Sequence, residues 1–233
     1  MNDNFVLYLP DNLEYLRDEI STHVSMKLEE IISFLGIKNC DKIRIIIYDE
    51  EEEFKKICKS IYPLSNIAGS FGHDNVRIFV DIEKVPKPRF LGCICHECTH
   101  LLYQNYVQEK GIQNRVIWFD EGLATNLSGE HDYELDDDHF KNYLDTKIFS
   151  EGKVIPDMAF LNVHGNKYGQ FVDSENKTYN GYVWSYLIVR YLIETLSKEE
   201  FNDLMRHKDK IKRLEKTVAK DAYSYYKNKV KMK

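Results

Sequence analysis

Residues 93–100 read Cys-Ile-Cys-His-Glu-Cys-Thr-His, and two metal-binding spacings overlap in them. Cys95 and Cys98 form a C-x-x-C, while His96, Glu97 and His100 form an H-E-x-x-H. A helix turns by about 100° per residue, so with Cys93 at zero, His96, Glu97 and His100 fall at roughly 300°, 40° and 340°. Cys95, Cys98 and Leu102 fall at roughly 200°, 140° and 180°, on the opposite side. Helical phase therefore sends Cys95 and Cys98 to an apolar packing face and gathers His96, Glu97, His100 and Cys93 on the other. Imidazoles at i and i+4 project together and can grip one zinc ion, with Glu97 beside an open coordination position. A structural zinc held by Cys93, Cys95, Cys98 and a histidine requires this segment not to be helical.

A catalytic zinc needs a third protein ligand from another element. The segment 116–129, Val-Ile-Trp-Phe-Asp-Glu-Gly-Leu-Ala-Thr-Asn-Leu-Ser-Gly, offers Glu121 in the first turns of a helix led by Trp118 and Phe119. Acids at a helix start also complement its dipole with no further role, so by spacing alone Asp120 and Glu121 stay open. Thr125, one turn on, faces the same way and is a candidate hydrogen-bond partner for a ligand.

His96-Glu97-x-x-His100 followed by Trp118-x-x-Glu121-Gly122-x-Ala124 resembles the gluzincin metallopeptidases, the peptidase MA-like group related to the aminopeptidase-N and leukotriene-hydrolase catalytic domain. The resemblance implies that Glu121 is the third zinc ligand, beside His96 and His100, with one Zn²⁺ per chain. It implies Glu97 as the acid–base residue. It extends to Tyr182-Val-Trp-Ser-Tyr-Leu-Ile-Val-Arg-Tyr-Leu192, similar to a family helix whose first Tyr stabilises the tetrahedral intermediate. Tyr182 matches that place and Tyr179 competes for it. The aminopeptidases of the group carry a G-x-M-E-N strand whose Glu grips a free amino terminus. Here the corresponding place reads Ile67-Ala68-Gly69-Ser70-Phe71, without that carboxylate, so the expected substrate strand is Ala68, Gly69 and Ser70 pairing with an extended peptide.

The surrounding pattern supplies a scaffold for this helix. Leu13, Leu16, Ile20, Val24, Leu28, Ile31 and Ile32 repeat at helical spacing, with Asp11 and Glu14 spaced as a capping box and Gly36 as the stop. Residues 42–48 read as a strand and 51–62 as a short helix. Residues 66–72 and 76–82 flank the turn His73-Asp74-Asn75 as an antiparallel hairpin. From the H-E-x-x-H segment onward the chain reads mainly helical, about 89–108, 118–128, 136–146, 180–196, 198–206 and 209–229, interrupted by the polar stretch 163–178, a candidate flap. The expected fold is α+β and zincin-like: a small, mostly antiparallel sheet on the H-E-x-x-H helix within 1–110, then a helical subdomain, 111–233, in one compact catalytic unit with the cleft between them.

Net charge of −6 argues against general nucleic-acid binding, although residues 206–233 hold eleven basic against three acidic side chains. That basic tail can dock on the acidic body, meet an anionic surface or simply be solvated. No membrane span or secretory signal is visible, and five cysteines, three of them crowded at 93–98, do not form a disulfide framework, so a cytoplasmic setting is expected. Cys93 is a candidate redox or inhibitory thiol on the metal face. The lone His164 and the acidic run Asp136–Asp138 read as solvated. The expected activity is zinc-dependent peptide-bond hydrolysis with Glu97 activating water, as an endopeptidase more than an aminopeptidase, on peptide or protein substrates. A noncatalytic, zinc-stabilised interaction module is the alternative, and oligomeric state is not legible.

Overall fold

The computed structural model describes residues 4–59, 66–108, 115–129, 155–163, 171–172 and 178–231. The chain divides into two compact units, Met1–Val107 with Leu127–His131, and Gln108–Asn126 with Asp132–Lys233. The sequence-predicted helix 136–146, most of the candidate flap, Asp136–Asp138, His131, His139 and His164 lie outside the described residues.

In the first unit, β1 (Phe5–Tyr8), β2 (Ile43–Tyr48), β3 (Ile67–Phe71) and β4 (Asn75–Val80) form a four-stranded sheet in the order β1-β2-β4-β3. β1–β2 and β2–β4 pair in parallel, and only the β3–β4 hairpin is antiparallel. The sheet is thus mostly parallel, which corrects the antiparallel expectation. The hairpin is local and carries its own turn signal, whereas each parallel pair needs a long crossover that a pairwise reading of the strands does not reveal. The mixed α/β architecture agrees with an α+β, zincin-like fold.

One crossover is α1 (Arg17–Leu35), which buries Ile20, Val24, Leu28, Ile31 and Leu35. Gly36 ends it at φ 66°, a left-handed conformation in which glycine carries no Cβ penalty. Its start differs from the capping box read in the sequence: Asp11–Leu16 is a 3₁₀ turn without a side-chain cap, and the Glu14 carboxylate pairs with Arg17. The next crossover holds α2 (Glu51–Cys58), whose Phe54 packs with Tyr48 and Phe79.

α3 (Lys87–Leu102) packs on α1, β3 and β4. Pro88 sits in its first turn, where a missing N–H leaves no intrahelical bond unmade. Beyond Leu102 the helix widens into one π turn, Tyr103–Val107. There Asn105 Nδ2 donates to the His73 carbonyl at 2.6 Å, and the Tyr106 hydroxyl accepts from the Asp41 backbone N–H at 2.9 Å.

The second unit is built on α4 (Ile117–Ser128), α5 (Met158–Leu161), α6 (Gly181–Thr195), α7 (Lys198–Arg206), α8 (Lys208–Leu214) and α9 (Val218–Lys231), with the two-residue strands β5 (Phe171–Val172) and β6 (Thr178–Tyr179) paired antiparallel. Gly122 of α4 lies so close to α6 that a Cβ there would sit 2.2 Å from the Ser185 carbonyl oxygen and 2.6 Å from Val189. Trp118 is fully buried and donates its indole N–H to Glu215 at 2.9 Å, while Phe119 stacks on Phe201. The basic tail docks within this unit. α9 buries Val218, Ala219, Ala222 and Tyr226, stacks Tyr223 on Trp184, and ties Lys229 to Glu194 of α6 at 2.9 Å. No helix among the described residues is long and apolar enough to cross a membrane.

Candidate metal centre

Packing of α3 follows the phase read from its sequence. Cys95, Cys98 and Leu102 are at 0% exposure, whereas Cys93 and Glu97 are half-buried. Burial pushes the Cys95 thiol up to about 12 and the Cys98 thiol well above its ordinary value. Neither is therefore a thiolate, the form that ligates metal, and the C-x-x-C is a core feature.

His96 and His100 are buried, with rings edge-on at 4.7 Å and their Nε2 atoms 3.0 Å apart. Two imidazole nitrogens that close either share the hydrogen of one ring's N–H, in an ordinary N–H···N bond, or face a metal ion. Tetrahedral zinc with Zn–N bonds of about 2.0–2.1 Å separates its nitrogen ligands by about 3.3 Å. The observed pair lies within a few tenths of an ångström of that. His96, His100 and Glu121 form a buried group in which a ligand atom of each lies within 4.8 Å of the others. Two imidazoles and a carboxylate are a donor set that suits zinc. Phe71, at the end of β3, stacks on the His100 ring at 5.2 Å with 22° between the planes, limiting its rotation.

Glu97 is fixed from the same strand. A Cβ built on Gly69 would lie 2.3 Å from Glu97 Oε1 and 2.5 Å from both Cδ and Cγ. The carboxylate therefore occupies the space that any other residue at position 69 would fill. β3 is also the last strand of its sheet, so the edge that bears Ala68, Gly69 and Ser70 carries no further strand among the described residues. On its far side Cys58 shares a hydrogen bond with Ser70, and burial raises that thiol's pKa.

Glu121 is only 2% exposed and Asp120 only 1%, too deep for acids that merely complement a helix end. Both are held by one arginine: Arg115 donates from Nε to Asp120 Oδ2 and from Nη2 to Glu121 Oε1. Arg115 escaped the sequence reading, where its only signal was a lone cation five and six residues before two acids. Thr125, expected to hydrogen-bond a ligand, donates to the main-chain carbonyl of Glu121 at 2.8 Å. It supports the helix turn that carries Glu121. Tyr182 is 36% exposed at the start of α6, where the Asn180 side chain caps the helix by accepting from the Tyr182 and Val183 N–H groups. Tyr179 belongs to β6, and its side chain lies outside the described parts.

A collagenase family model, Peptidase_M9, matches residues 34–229, and the chain belongs to that family of zinc metallopeptidases. No curated protein matches it. The match begins within α1 and ends within α9, at residue 229, so it covers the H-E-x-x-H helix, the Glu121 helix and most of the docked basic tail.

Proposed function

We propose that the protein is a gluzincin-type zinc endopeptidase in which His96, His100 and Glu121 hold the metal and Glu97 is the acid–base residue. The observation that carries this reading is the buried His96–His100 pair, with Nε2 atoms 3.0 Å apart, grouped with Glu121. When bound, zinc supplies Lewis-acid chemistry, making water more acidic and polarising a carbonyl. Glu97 takes a proton from the attacking water and returns it to the departing amine, a role worth about 10²–10⁴-fold in rate. Tyr182, with Tyr179 as the alternative, donates a hydrogen bond to the oxygen on which charge develops.

An extended peptide adds to the open edge of β3 through main-chain hydrogen bonds, which places its backbone beside Glu97 at Gly69. That strand carries no acid to grip a free amino terminus, which supports cleavage within a chain. Family membership supports collagen-like or gelatin-like polypeptides as the first substrates to try.

The test is zinc stoichiometry by atomic absorption together with cleavage of gelatin and of a mixed peptide pool. Wild type is expected to bind one zinc and cut both N-terminally blocked and free peptides. Glu97→Gln is expected to keep zinc and lose at least 10²-fold in turnover. Zinc-loaded wild type that shows no Glu97-dependent cleavage would favour the noncatalytic module. A strict need for a free amine would overturn the endopeptidase reading.

A further inference from the structure

Arg115 stands one residue ahead of the Val116 carbonyl that opens the hydrogen bonding of α4, accepting from Phe119 and Asp120 N–H groups. This is the positive end of a helix dipole, where a cation is disfavoured. The side chain is nonetheless 84% shielded, with 16% exposure, and lies against carboxylates exposed by only 1% and 3%. Its planar fork explains the placement. Nε serves Asp120 and Nη2 serves Glu121, so one guanidinium ties two neighbouring buried acids into a single geometry.

We propose that Arg115 is the positioning residue of the third metal ligand. It holds Glu121 through Oε1 while Asp120 anchors the other side of the guanidinium, leaving a carboxylate already oriented toward the group it forms with His96 and His100. The inference rests on Glu121 being a ligand, as read above. A carboxylate has two oxygens, and hydrogen bonding one of them is the usual way that outer partners aim a ligand.

The electrostatic alternative has the opposite sign. If the arginine only competed with the metal for Glu121, removing its positive charge would tighten cation binding. If it positions Glu121, removal weakens binding, by about 10–100-fold for outer partners of this kind. Arg115→Lys separates charge from shape, because an ammonium keeps the charge but cannot bridge the two acids in one plane.

The experiment measures zinc affinity of the full chain by competition with a chromophoric chelator, alongside thermal unfolding of the metal-stripped protein, for wild type, Arg115→Ala and Arg115→Lys. The expected result is one zinc in wild type, affinity at least tenfold weaker in both variants, and metal-free Arg115→Lys melting close to wild type. Should Arg115→Ala fail to fold, Arg115→Lys decides the matter alone. Zinc bound as tightly as in wild type, or more tightly, by a folded variant overturns the inference and leaves the site intact. Wild type without stoichiometric zinc removes the metal site and the inference together.

Discussion

Replacing Gly69 by alanine puts one methyl group into the space that Glu97 occupies. The added Cβ would meet Oε1 at 2.3 Å and two further Glu97 atoms at 2.5 Å, whereas ordinary van der Waals contact begins near 3.4 Å. The strand is held by its register with β4, Gly69 opposite Ile78, so the side chain yields rather than the backbone. Restoring contact distance moves the carboxylate by roughly 1 Å, a displacement that costs on the order of 10²-fold when it befalls a reacting group. That corresponds to about 2.7 kcal/mol of transition-state stabilisation. His96 and His100 are not touched, so zinc should remain at wild-type stoichiometry. The assay is kcat/KM on a quenched fluorescent peptide beside metal content, with Ser70→Ala as a control at the neighbouring position. Gly69→Ala is expected to lose about 10²-fold in kcat/KM with zinc retained. Activity within threefold of wild type, zinc being present, would refute the placement of Glu97 against β3.

Gly122→Ala drives a methyl group against the Ser185 carbonyl and Val189; because backbone cannot move aside, α4 and α6 must separate, costing about 1–3 kcal/mol. Calorimetry should show a fall of about 2–4 °C in Tm for each kcal/mol, and an unchanged Tm would contradict the close approach. Cys95 and Cys98, protonated and at 0% exposure, should resist a disulfide reagent at pH 8 until denaturant is added, while reaction of either in the native state would place it outside the core. Burial raises the Glu194 carboxyl, but hydrogen bonds from Arg190 and Lys229 outweigh it and hold the pKa below its ordinary value. The resulting stability is full above the ordinary carboxylate range near about pH 4.3 and lost as pH falls through the lowered value. Glu194→Gln should therefore cost about 1 kcal/mol at pH 7 and flatten the acid limb of stability against pH; parallel acid limbs would refute the coupling.

Periodicity made the metal helix legible. Alternation between a histidine face and a thiol face is a local property, and the burial of Cys95, Cys98 and Leu102 follows it residue by residue. The β3–β4 hairpin was legible for the same reason. β1 was not: Phe-Val-Leu-Tyr is only four residues long, stands before a strong helix signal, and acquires its strand identity from parallel pairing with Ile43–Ile46, far along the chain. The spacing of Asp11 and Glu14 satisfied a capping template, yet Arg17 claims the Glu14 carboxylate. In the tail, one predicted helix became two, α8 and α9, with Glu215 between them receiving hydrogen bonds from Trp118 and from Asn162. Partners 97 and 53 residues away do not register in a helical template. Arg115 was hidden likewise, since it lies outside the helix whose acids it holds.

β3 touches the metal helix twice, through the Gly69 gap filled by Glu97 and through Phe71 lying flat on His100. Anything that binds along this edge and shifts the strand is therefore felt at both the Glu97 carboxylate and the His100 ring. Under the proposed function, peptide docking and the metal's electronic environment become coupled observables. With cobalt in place of zinc, a peptide analogue that pairs with β3 but resists cleavage should perturb the visible spectrum, and replacing Phe71 by leucine should mute that response.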